Sequence, residues 1–542
     1  MIYNFRFDRD SVEEILRRLR EEQFISQGWG GRDHNLHISK PDFVQRCQEI
    51  YELKTTQIPT NISRIRDFKK GELLVTPHLP EYGKVSIHVI DGDFPECYDY
   101  LENDPSHLNH RIKIRKSYGL DGSISIDNYV LVPWREKLQS LRLPVLPIEQ
   151  DEQIFRGIIR RIESGEQVKF NAQTLELKKL TVENFKAFQN CVLELAPLTI
   201  LIGENSSGKS SLLQALLLLK QTLDSPSGRG ILNLSGDVQF HNFREIVFGM
   251  PINEAFMRFE LAFQDHKTLS FKVGIQEKGN QLNLFDIRFN DKALSWDKEW
   301  EKWDIEQKVS DNSDSHATLR SMLNHYLRLP EVAGQLNEEA LTLMFTGIGY
   351  IQPLRPIPQR YYNLTGVTPS WIGSRAENIA DFLETHPTVK KQVQDWFVES
   401  AKMAREVKFK TDFERDQMEI IFVSAKSGLE IDISRLGFGF SQILPIVVAT
   451  YAQKNMLIFE APEIHLNPKL HGVMTDLFIE GANNGKQVLV ETHSEHVVYR
   501  VQRRIADGKI APDAVALYYV QQGENGSIAE RLTLTEKGST AD

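Results

Sequence analysis

The sequence contains little cysteine and no long apolar run, and each absence excludes a class of protein. Its cysteines form no CxxC pair and lie far apart, at Cys47, Cys97 and Cys191. A disulfide framework and a four-thiolate zinc site are therefore excluded. The apolar stretch Leu212–Leu219 is interrupted by a glutamine and is shorter than the roughly 20 residues of a membrane span. Because the first ten residues also carry no signal-peptide pattern, we predict a soluble, cytoplasmic protein without a membrane partner.

The chain also lacks an excess of positive charge, internal repeats and low-complexity segments. A formal net charge of −10 over 542 residues argues against a protein that coats nucleic acid through bulk positive charge, although a local basic patch is compatible with it. No heptad array indicates an extended coiled-coil arm. With 41% hydrophobic residues the chain can bury a large core, and its length predicts two or three domains.

Changes of pattern along the chain predict three regions and one insertion. Residues 1–140 alternate short helical and strand-like runs, and residues 141–174 form a linker with a connecting helix. Residues 175–542 alternate strands and helices, which predicts an α/β fold preceded by a small α+β domain. Within this last region, residues 291–345 contain three tryptophans, a polar run and a helical pattern, so we predict a short helical lid there.

A glycine-rich segment with the sequence GENSSGKSS matches the pattern GxxxxGK[ST]. It follows the apolar run LTILI and precedes the helical run SLLQALLLLK, which is the context that this phosphate-binding motif requires. The loop's N–H groups surround phosphate oxygens, its lysine contacts the β- and γ-phosphates, and the hydroxyl of Ser210 binds Mg²⁺. We predict ATP and Mg²⁺ as ligands. The predicted nucleotide-binding residues are Gly203, Glu204, Asn205, Ser206, Ser207, Gly208, Lys209, Ser210 and Ser211.

A carboxylate follows a second apolar strand further along the chain. Residues Met456–Phe459 are apolar and lead directly to Glu460. The carboxyl end of a buried parallel strand is where an acidic side chain can hold Mg²⁺. We therefore predict Glu460 as a metal ligand beside Ser210. An apolar strand that ends in glutamate is also common without any site, so the prediction depends on the phosphate loop.

Together these segments resemble the ABC-type ATPases of the SMC, RecF and OLD branch over residues 175–520. Besides the phosphate loop, the resemblance rests on NFKAF at Asn184–Phe188, YIQPLRPIPQRYY at Tyr350–Tyr362, EAPEIHLNP at Glu460–Pro468 and ETHSEH at Glu491–His496. It implies an ABC-type P-loop head that hydrolyses ATP. It also implies that His493 is the family's γ-phosphate sensor, which would couple hydrolysis to dimer opening.

The segment LGFGFSQILPI at Leu436–Ile446 resembles a degenerate ABC signature. In that family the signature reaches across a dimer to close the partner's ATP site, so the resemblance implies that Gly439 and Ser441 act in trans. It further implies a head-to-tail homodimer, or a higher homo-oligomer through the heads, with ATP at the interface. The alternative for this segment alone is a glycine-flexed helix start without a ligand.

The chain departs from the family at the catalytic acid pair. The family has Asp-Glu-Pro where this chain has Glu-Ala-Pro, with Ala461 in the second place, and alanine cannot act as a base. Either Glu463 acts as the general base, or hydrolysis is slow and the protein works mainly as an ATP-closed switch. We expect slow, partner-dependent turnover. The predicted catalytic residues are Lys209, Glu460, Glu463 and His493.

The N-terminal region resembles the PUA- or EVE-like barrel at the front of some Mrr-type restriction proteins. The resemblance covers residues 20–135 and rests on FISQGWGG, IRDFKKGELLVTP, VSIHVIDGDF and HRIKIRK. Such barrels can hold a base extruded from DNA in an aromatic pocket. Alternation within HRIKIRK places Arg111, Lys113 and Arg115 on one strand face, and Trp29 offers a stacking surface. The alternative is a charged solvent face with core aromatic residues.

The resemblances imply a sensor or regulator in a prokaryotic antiphage defence or DNA-maintenance system. Its N-terminal domain would bind DNA, and its ATPase cycle would control a separate effector, a nuclease or toxin, because the chain carries no recognisable nuclease motif. The competing hypothesis is a non-hydrolysing scaffold in which bound ATP only stabilises an oligomer, and Ala461 favours it. An ABC transporter subunit fits less well, because the predicted lid and N-terminal domain do not suit coupling to a membrane partner.

Overall fold

The computed structural model divides the chain into two compact units. One contains Met1–Asn171, and the other contains Ala172–Thr365 with Pro369–Asp542. The described residues are 1–7, 11–28, 35–39, 41–43, 45, 62–81, 83–124, 145–148, 152–163, 175–224, 231–251, 254–264, 267–275, 282–290, 292–293, 341, 344–365, 369–412, 415–452 and 454–540. Trp29 and almost all of the predicted lid at residues 291–345 lie outside these ranges.

The described part of the N-terminal unit is built on a seven-stranded sheet. Its strands are β1 Ile2–Phe5, β2 Phe24–Gln27, β3 Leu73–Pro77, β4 Val85–Ile90, β5 Tyr98–Tyr100, β6 His110–Tyr118 and β7 Val145–Ile148. Its helices are α1 Val12–Glu21, α2 Glu152–Glu163 and a 3₁₀ helix at Ile62–Asp67. The strand order is β2-β6-β4-β3-β1-β7, with β5 paired to β6. Strands β1 and β3 run parallel, and the other pairs are antiparallel.

Strand β4 is buried along its whole length and includes a histidine. The imidazole of His88 lies between two hydroxyl groups, with Nε2 2.8 Å from Ser86 Oγ and Nδ1 2.8 Å from Ser117 Oγ. Burial lowers the pKa of His88 to about 3, because an imidazolium ion would lose its hydration there. The N-terminal unit therefore folds around a neutral imidazole.

Lowering the pH is expected to destabilise the N-terminal unit through His88. The unfolded imidazole, with a pKa of about 6.5, binds a proton between pH 6.5 and 3 that the folded one does not, so stability present above pH 6.5 is lost as the pH falls. The expected loss at pH 5 is about 2 kcal/mol. Urea unfolding at pH 7.5 and 5.0, read by hydrogen-exchange pulses at one fixed pH on peptides covering residues 85–90, measures it.

The matched variant for this prediction is His88→Gln, which keeps hydrogen-bonding groups between Ser86 and Ser117 but does not titrate. Its loss of stability between pH 7.5 and 5.0 should be smaller than that of the unaltered chain. Equal losses in the two proteins would contradict the role of His88.

The second unit contains most of the helices and strands of the described chain. Its strands are β8 Leu177–Phe185, β9 Phe188–Glu194, β10 Leu198–Gly203, β11 Ala255–Phe263, β12 Thr268–Ile275, β13 Leu282–Phe289, β14 Lys292–Ala293, β15 Ile348–Ile351, β16 Tyr361–Asn363, β17 Glu406–Asp412, β18 Gln417–Val423, β19 Glu430–Asp432, β20 Met456–Glu460, β21 Gln487–Glu491, β22 Val515–Gly523 and β23 Gly526–Leu532. Its helices are α3 Lys209–Asp224, α4 Ile379–Thr385, α5 Pro387–Asp395, α6 Phe438–Tyr451, α7 Pro468–Asn483 and α8 Glu495–Ala506. Short helical turns lie at Arg244–Ile246, Trp396–Ser400, Ile433–Arg435 and Pro512–Ala514.

The central sheet of this unit has the order β15-β20-β21-β10-β22-β23. All its neighbours run parallel except β22 and β23. Strand β21 thus lies between β10, which leads into the phosphate loop, and β20, which ends at Glu460. Because parallel strands end at the same edge of a sheet, the loop and the last residues of β20 and β21 meet there.

The central sheet is covered on both faces, which explains its apolar strands. On β20, Met456 and Ile458 belong to the core that contains α3, whereas Leu457 and Phe459 belong to the core that contains α6, α7 and α8. Helix α3 buries every residue of the run Leu216–Leu219, as expected for a helix enclosed on all sides. The rigid core therefore fixes the start of α3 against the edge of the sheet.

Two antiparallel sheets complete the second unit in its described part. The larger has the order β14-β13-β12-β11-β8-β9, and β11 alternates buried and half-buried residues along its length, as a sheet with one packed face should. The smaller has the order β16-β18-β17, with β19 also paired to β18. Among the described residues, no helix combines the length and apolar character that crossing a bilayer requires.

Candidate functional site

The predicted phosphate loop connects β10 to the start of α3. Gly203 ends the strand at φ 142°, and a Cβ atom there would lie 2.0 Å from the carbonyl oxygen of Val520. Gly208 has φ 103°, and its Cβ would lie 3.0 Å from that of Ala187. Only glycine fits these backbone angles without strain. The loop is therefore packed between β22 and the turn from β8 to β9.

The lysine of the loop turns its ammonium group back toward the loop itself. Lys209 is 3% exposed, and its Nζ donates to the carbonyl oxygens of Gly203 at 3.0 Å and Glu204 at 2.5 Å. Burial lowers the pKa of Lys209, while Glu491 and Glu463 raise it. The lysine thus lies within electrostatic reach of two carboxylates at the edge of the sheet.

Two neighbouring strands end in glutamate at this edge. Glu460 on β20 and Glu491 on β21 are direct neighbours in the parallel register. The hydroxyl of Ser210 donates to Glu491 Oε1 at 2.9 Å, whereas the hydroxyl of Tyr350 donates to Glu460. Glu460 stays a predicted metal ligand. Sequence reasoning missed Glu491, although QVLVE ends in glutamate after an apolar strand in the same way as MLIFE.

The Glu491 carboxylate is buried and only half satisfied. Its side chain is 5% exposed, and Oε2 has no hydrogen-bond partner among the described residues. The pKa of Glu491 is raised to about 7, chiefly by burial and also by the charges of Glu460 and Glu463, while Ser210 and Lys209 act in the opposite direction. A buried carboxylate oxygen without a partner is costly, so the site is suited to a cation.

The loop after β20 carries the candidate base. The backbone N–H of His493 donates to Glu463 Oε1 at 2.7 Å, and Glu463 Oε2 is buried without a hydrogen-bond partner among the described residues. Ala461 has φ 40°, and its N–H donates to the carbonyl oxygen of Glu491 at 2.8 Å. The structure thus orients the Glu463 carboxylate, while the imidazole of His493 lies at an exposed position.

Two cations near the site, one buried and one half-buried, were missed by sequence reasoning. Arg355 is 6% exposed and donates through Nη2 to the carbonyl oxygens of Pro462 and Ile464, at 3.1 and 3.0 Å, so it supports the loop that carries Glu463. Lys186 lies in the segment NFKAF, where Nζ donates to the side chain of Gln214 at 2.5 Å. Both lie within segments that carried the family resemblance, but the motifs do not identify which side chains turn inward.

The predicted signature segment forms the start of α6. Ser441 is buried, and its hydroxyl donates to the carbonyl oxygen of Phe438 at 2.7 Å. Gly439 is half-buried, and the ring of Phe438 is 41% exposed. In the described chain no hydrogen bond joins Ser441 to the phosphate loop. Its action on a partner's nucleotide stays a prediction.

The predicted DNA-contacting cations lie on β6, at positions that alternate with buried isoleucines. Arg111 is 12% exposed and pairs with Glu22 at 2.5 Å and with Asp99 at 3.4 Å. These ion pairs favour the alternative of a charged solvent face at Arg111. Lys113 and Arg115 are exposed, as phosphate contacts require, although Lys113 Nζ lies 3.8 Å from Asp91 Oδ2.

The residues present fit Mg²⁺ at the phosphate loop. Among the described residues, no group of three His, Cys, Asp or Glu side chains is arranged to hold a metal ion. A P-loop magnesium site needs fewer protein ligands, because phosphate oxygens and water fill most positions. The Ser210 hydroxyl and the partnerless oxygen of Glu491 supply the hard oxygen atoms that Mg²⁺ prefers. When bound, Mg²⁺ would neutralise phosphate charge.

The fold and the site together define a P-loop ATPase of mixed α/β architecture. Comparison with protein families agrees: the AAA ATPase domain family matches residues 176–318 and 297–498, more than half of the chain. The protein belongs to the AAA ATPase domain family and is an ATP-binding ATPase. The match begins at residue 176 and does not extend into the N-terminal unit.

Comparison with solved structures finds SMC head domains. One is an SMC head bound to the C-terminal winged-helix domain of ScpA, with 12% identity and a TM-score of 0.37; it covers 66% of this chain and 98% of its own. The SMC head domain from Thermotoga maritima has 12% identity and a TM-score of 0.35, covering 66% and 99%. The third is an SMC head with an extended coiled coil, bound to the C-terminal domain of ScpA, from Pyrococcus furiosus. It has 11% sequence identity and a TM-score of 0.37, and the match covers 66% of this chain and 96% of that chain. TM-scores of this size carry no functional inference, and comparison with the curated proteins finds no match.

Proposed function

We propose that this ATPase hydrolyses ATP slowly at a composite site formed by a head-to-tail homodimer. The observation that supports hydrolysis is the Glu463 carboxylate, which is oriented by the His493 N–H and lies within electrostatic reach of Lys209. In the reaction, a water oxygen attacks the γ-phosphorus, the bond to the β–γ bridging oxygen breaks, and the water proton passes to Glu463. ADP and phosphate are the products.

The site residues have separate roles in the proposed reaction. Lys209 and the loop N–H groups hold the β- and γ-phosphates, and His493 contacts the γ-phosphate. Ser210 and a carboxylate at the sheet edge hold Mg²⁺. Slow turnover is consistent with Ala461, because the usual catalytic carboxylate position is occupied by a methyl group and the replacement lies two residues further along.

Dimerisation would bring Gly439 and Ser441 to the partner's nucleotide. Exposed apolar side chains support an interface on this part of the head: Leu354 is 69% exposed and Ile357 is 75% exposed, besides Phe438. Burial of such side chains in an interface is favourable. The dimer would close around two ATP molecules and open after hydrolysis.

We further propose that the N-terminal unit binds DNA and that the ATPase cycle regulates a separate effector, a nuclease or toxin, in antiphage defence or DNA maintenance. The exposed cations Lys113 and Arg115 support a phosphate contact. The second candidate function is a non-hydrolysing scaffold that ATP stabilises. The residue that favours it is Ala461, because the position of the family's base holds no ionisable group.

Phosphate release and molar mass, measured on the full chain, test the proposal. With ATP and Mg²⁺ we expect slow turnover that rises when double-stranded DNA is added, and a shift from monomer to dimer in light scattering when ATP is added to Glu463→Gln. If ATP binds but is not hydrolysed under any condition, the non-hydrolysing scaffold would be the supported function. A turnover rate that does not change when DNA is added would contradict DNA sensing. A molar mass that stays that of the monomer when ATP is added would contradict dimerisation.

A further inference from the structure

Two adjacent carboxylates, Glu460 and Glu491, compete for the role of magnesium ligand at the sheet edge. They are register partners at the ends of β20 and β21, so their positions in the sheet alone do not show which of them binds the metal ion. Their hydrogen bonds do. Glu491 is joined to Ser210 in the first turn of α3, and Glu460 is joined to a tyrosine on the strand that flanks β20 on its other side.

The serine partner is the stronger indicator of a metal ligand. In P-loop proteins the hydroxyl at the Ser210 position binds Mg²⁺ directly. That hydroxyl lies 2.9 Å from Glu491 Oε1, the separation at which two oxygens can share one cation. Glu491 and Ser210 are therefore already arranged as neighbours around a common point, although they are 281 residues apart in sequence.

Burial adds an independent indication. The side chain of Glu491 is 5% exposed, and its second oxygen has no hydrogen-bond partner among the described residues. Proteins rarely bury such an atom without a partner, water or ion. Lys209 contributes favourable charge, but it donates to loop carbonyl oxygens. The oxygen is consequently left for a cation.

Glu460 is engaged differently. It accepts a hydrogen bond from the hydroxyl of Tyr350, and β15, which carries that tyrosine, pairs with β20 on the side away from β21. The phenol thus already occupies Oε2 of Glu460, and Glu460, unlike Glu491, has no buried oxygen without a partner among the described residues. Glu460 therefore has the geometry of a residue that orients its neighbours through Tyr350.

We infer that Glu491, and not Glu460, is the carboxylate that holds Mg²⁺ together with Ser210 when ATP is bound. This inference rests on the proposed ATP site. It assigns a catalytic-metal role to the first residue of the segment ETHSEH, whereas the acid after the MLIF strand acts as a positioning residue. Glu463 keeps its separate role as the base.

The test compares ATP affinity in Mg²⁺ and in EDTA by calorimetry on the full chain, so that hydrolysis is not the readout. In the unaltered chain Mg²⁺ should tighten ATP binding. Glu491→Gln should reduce this increase in ATP affinity with Mg²⁺, called the gain, at least about tenfold. The affinity in EDTA should not weaken, because the amide can still bond Ser210. Glu460→Gln, the matched change on the neighbouring strand, should keep the gain.

Every outcome decides between the two carboxylates. Loss of the gain in Glu460→Gln, alone or together with Glu491→Gln, overturns the inference, as does a full gain in Glu491→Gln. If Glu491→Gln does not fold, Glu460→Gln decides by itself: a full gain supports Glu491, and a lost gain overturns it. Failure of the unaltered chain to bind ATP at all would instead refute the proposed function.

Discussion

Replacing Lys209 by methionine is expected to reduce ATP affinity at least about 100-fold, because two charge-assisted contacts to the phosphates, each of about 1.5–3 kcal/mol, are lost. Methionine keeps the length and apolar stem of lysine. Lys209 is 3% exposed and its ammonium group is bonded to the loop's own carbonyl oxygens, so the charge is built into the loop. Isothermal titration calorimetry with ATP and Mg²⁺ measures the loss.

Lys220→Met provides the matched control for this change. Lys220 lies on the same helix α3, about 16 Å further along its axis at 1.5 Å per residue, and its ammonium pairs with Asp237 at 2.9 Å. The control should bind ATP like the unaltered chain. Similar thermal denaturation of the two variants would show that the fold is intact. Full ATP affinity in Lys209→Met would mean that the GENSSGKSS loop is not the nucleotide site.

Replacing Glu463 by glutamine is expected to lower the turnover number by about 10²–10⁴-fold, the usual contribution of a general base. The amide keeps the shape of the carboxylate and can still accept from the His493 N–H, which lies 2.7 Å from Oε1. ATP affinity should therefore be retained, and the ATP-bound dimer should persist. Single-turnover phosphate release, together with ATP affinity, separates the chemical step from binding.

Glu460→Gln is the comparison that decides the role of Glu463. If Glu460→Gln alone abolishes turnover while Glu463→Gln leaves it intact, Glu463 is not the base. Loss of both ATP affinity and turnover in Glu463→Gln would indicate a ligand-binding role. Retention of turnover in both variants would direct attention to a base supplied by a partner, in keeping with partner-dependent hydrolysis.

The class of the protein and its phosphate loop were predictable from short segments of sequence. The GxxxxGK[ST] pattern between an apolar strand and an apolar helix led to a P-loop ATPase, and the AAA ATPase domain family confirms that class. The angles of Gly203 and Gly208 agree with a tightly turned loop. The PUA-like interpretation of the N-terminal region, the defence role and the dimer stay predictions.

The pairing of charges was less predictable. Alternation along HRIKIRK correctly separates the outward cations from the buried isoleucines, because strand periodicity is local. It does not reveal that Arg111 is neutralised by Glu22 and Asp99, which come from other parts of the unit. Strand pattern therefore located a charged face, but the charge available to a ligand depended on the neighbouring elements.

Local sequence sufficed for the phosphate loop because residues adjacent in the chain make it: the turns need glycine, the helix start needs N–H groups, and the lysine follows directly. Local sequence did not predict the carboxylate that accepts from Ser210, because Glu491 lies 281 residues away in the chain. It reaches the loop only because β21 enters the sheet between β10 and β20. Strand order arises from the packing of the whole core, and so the acidic half of the site follows from the folded chain.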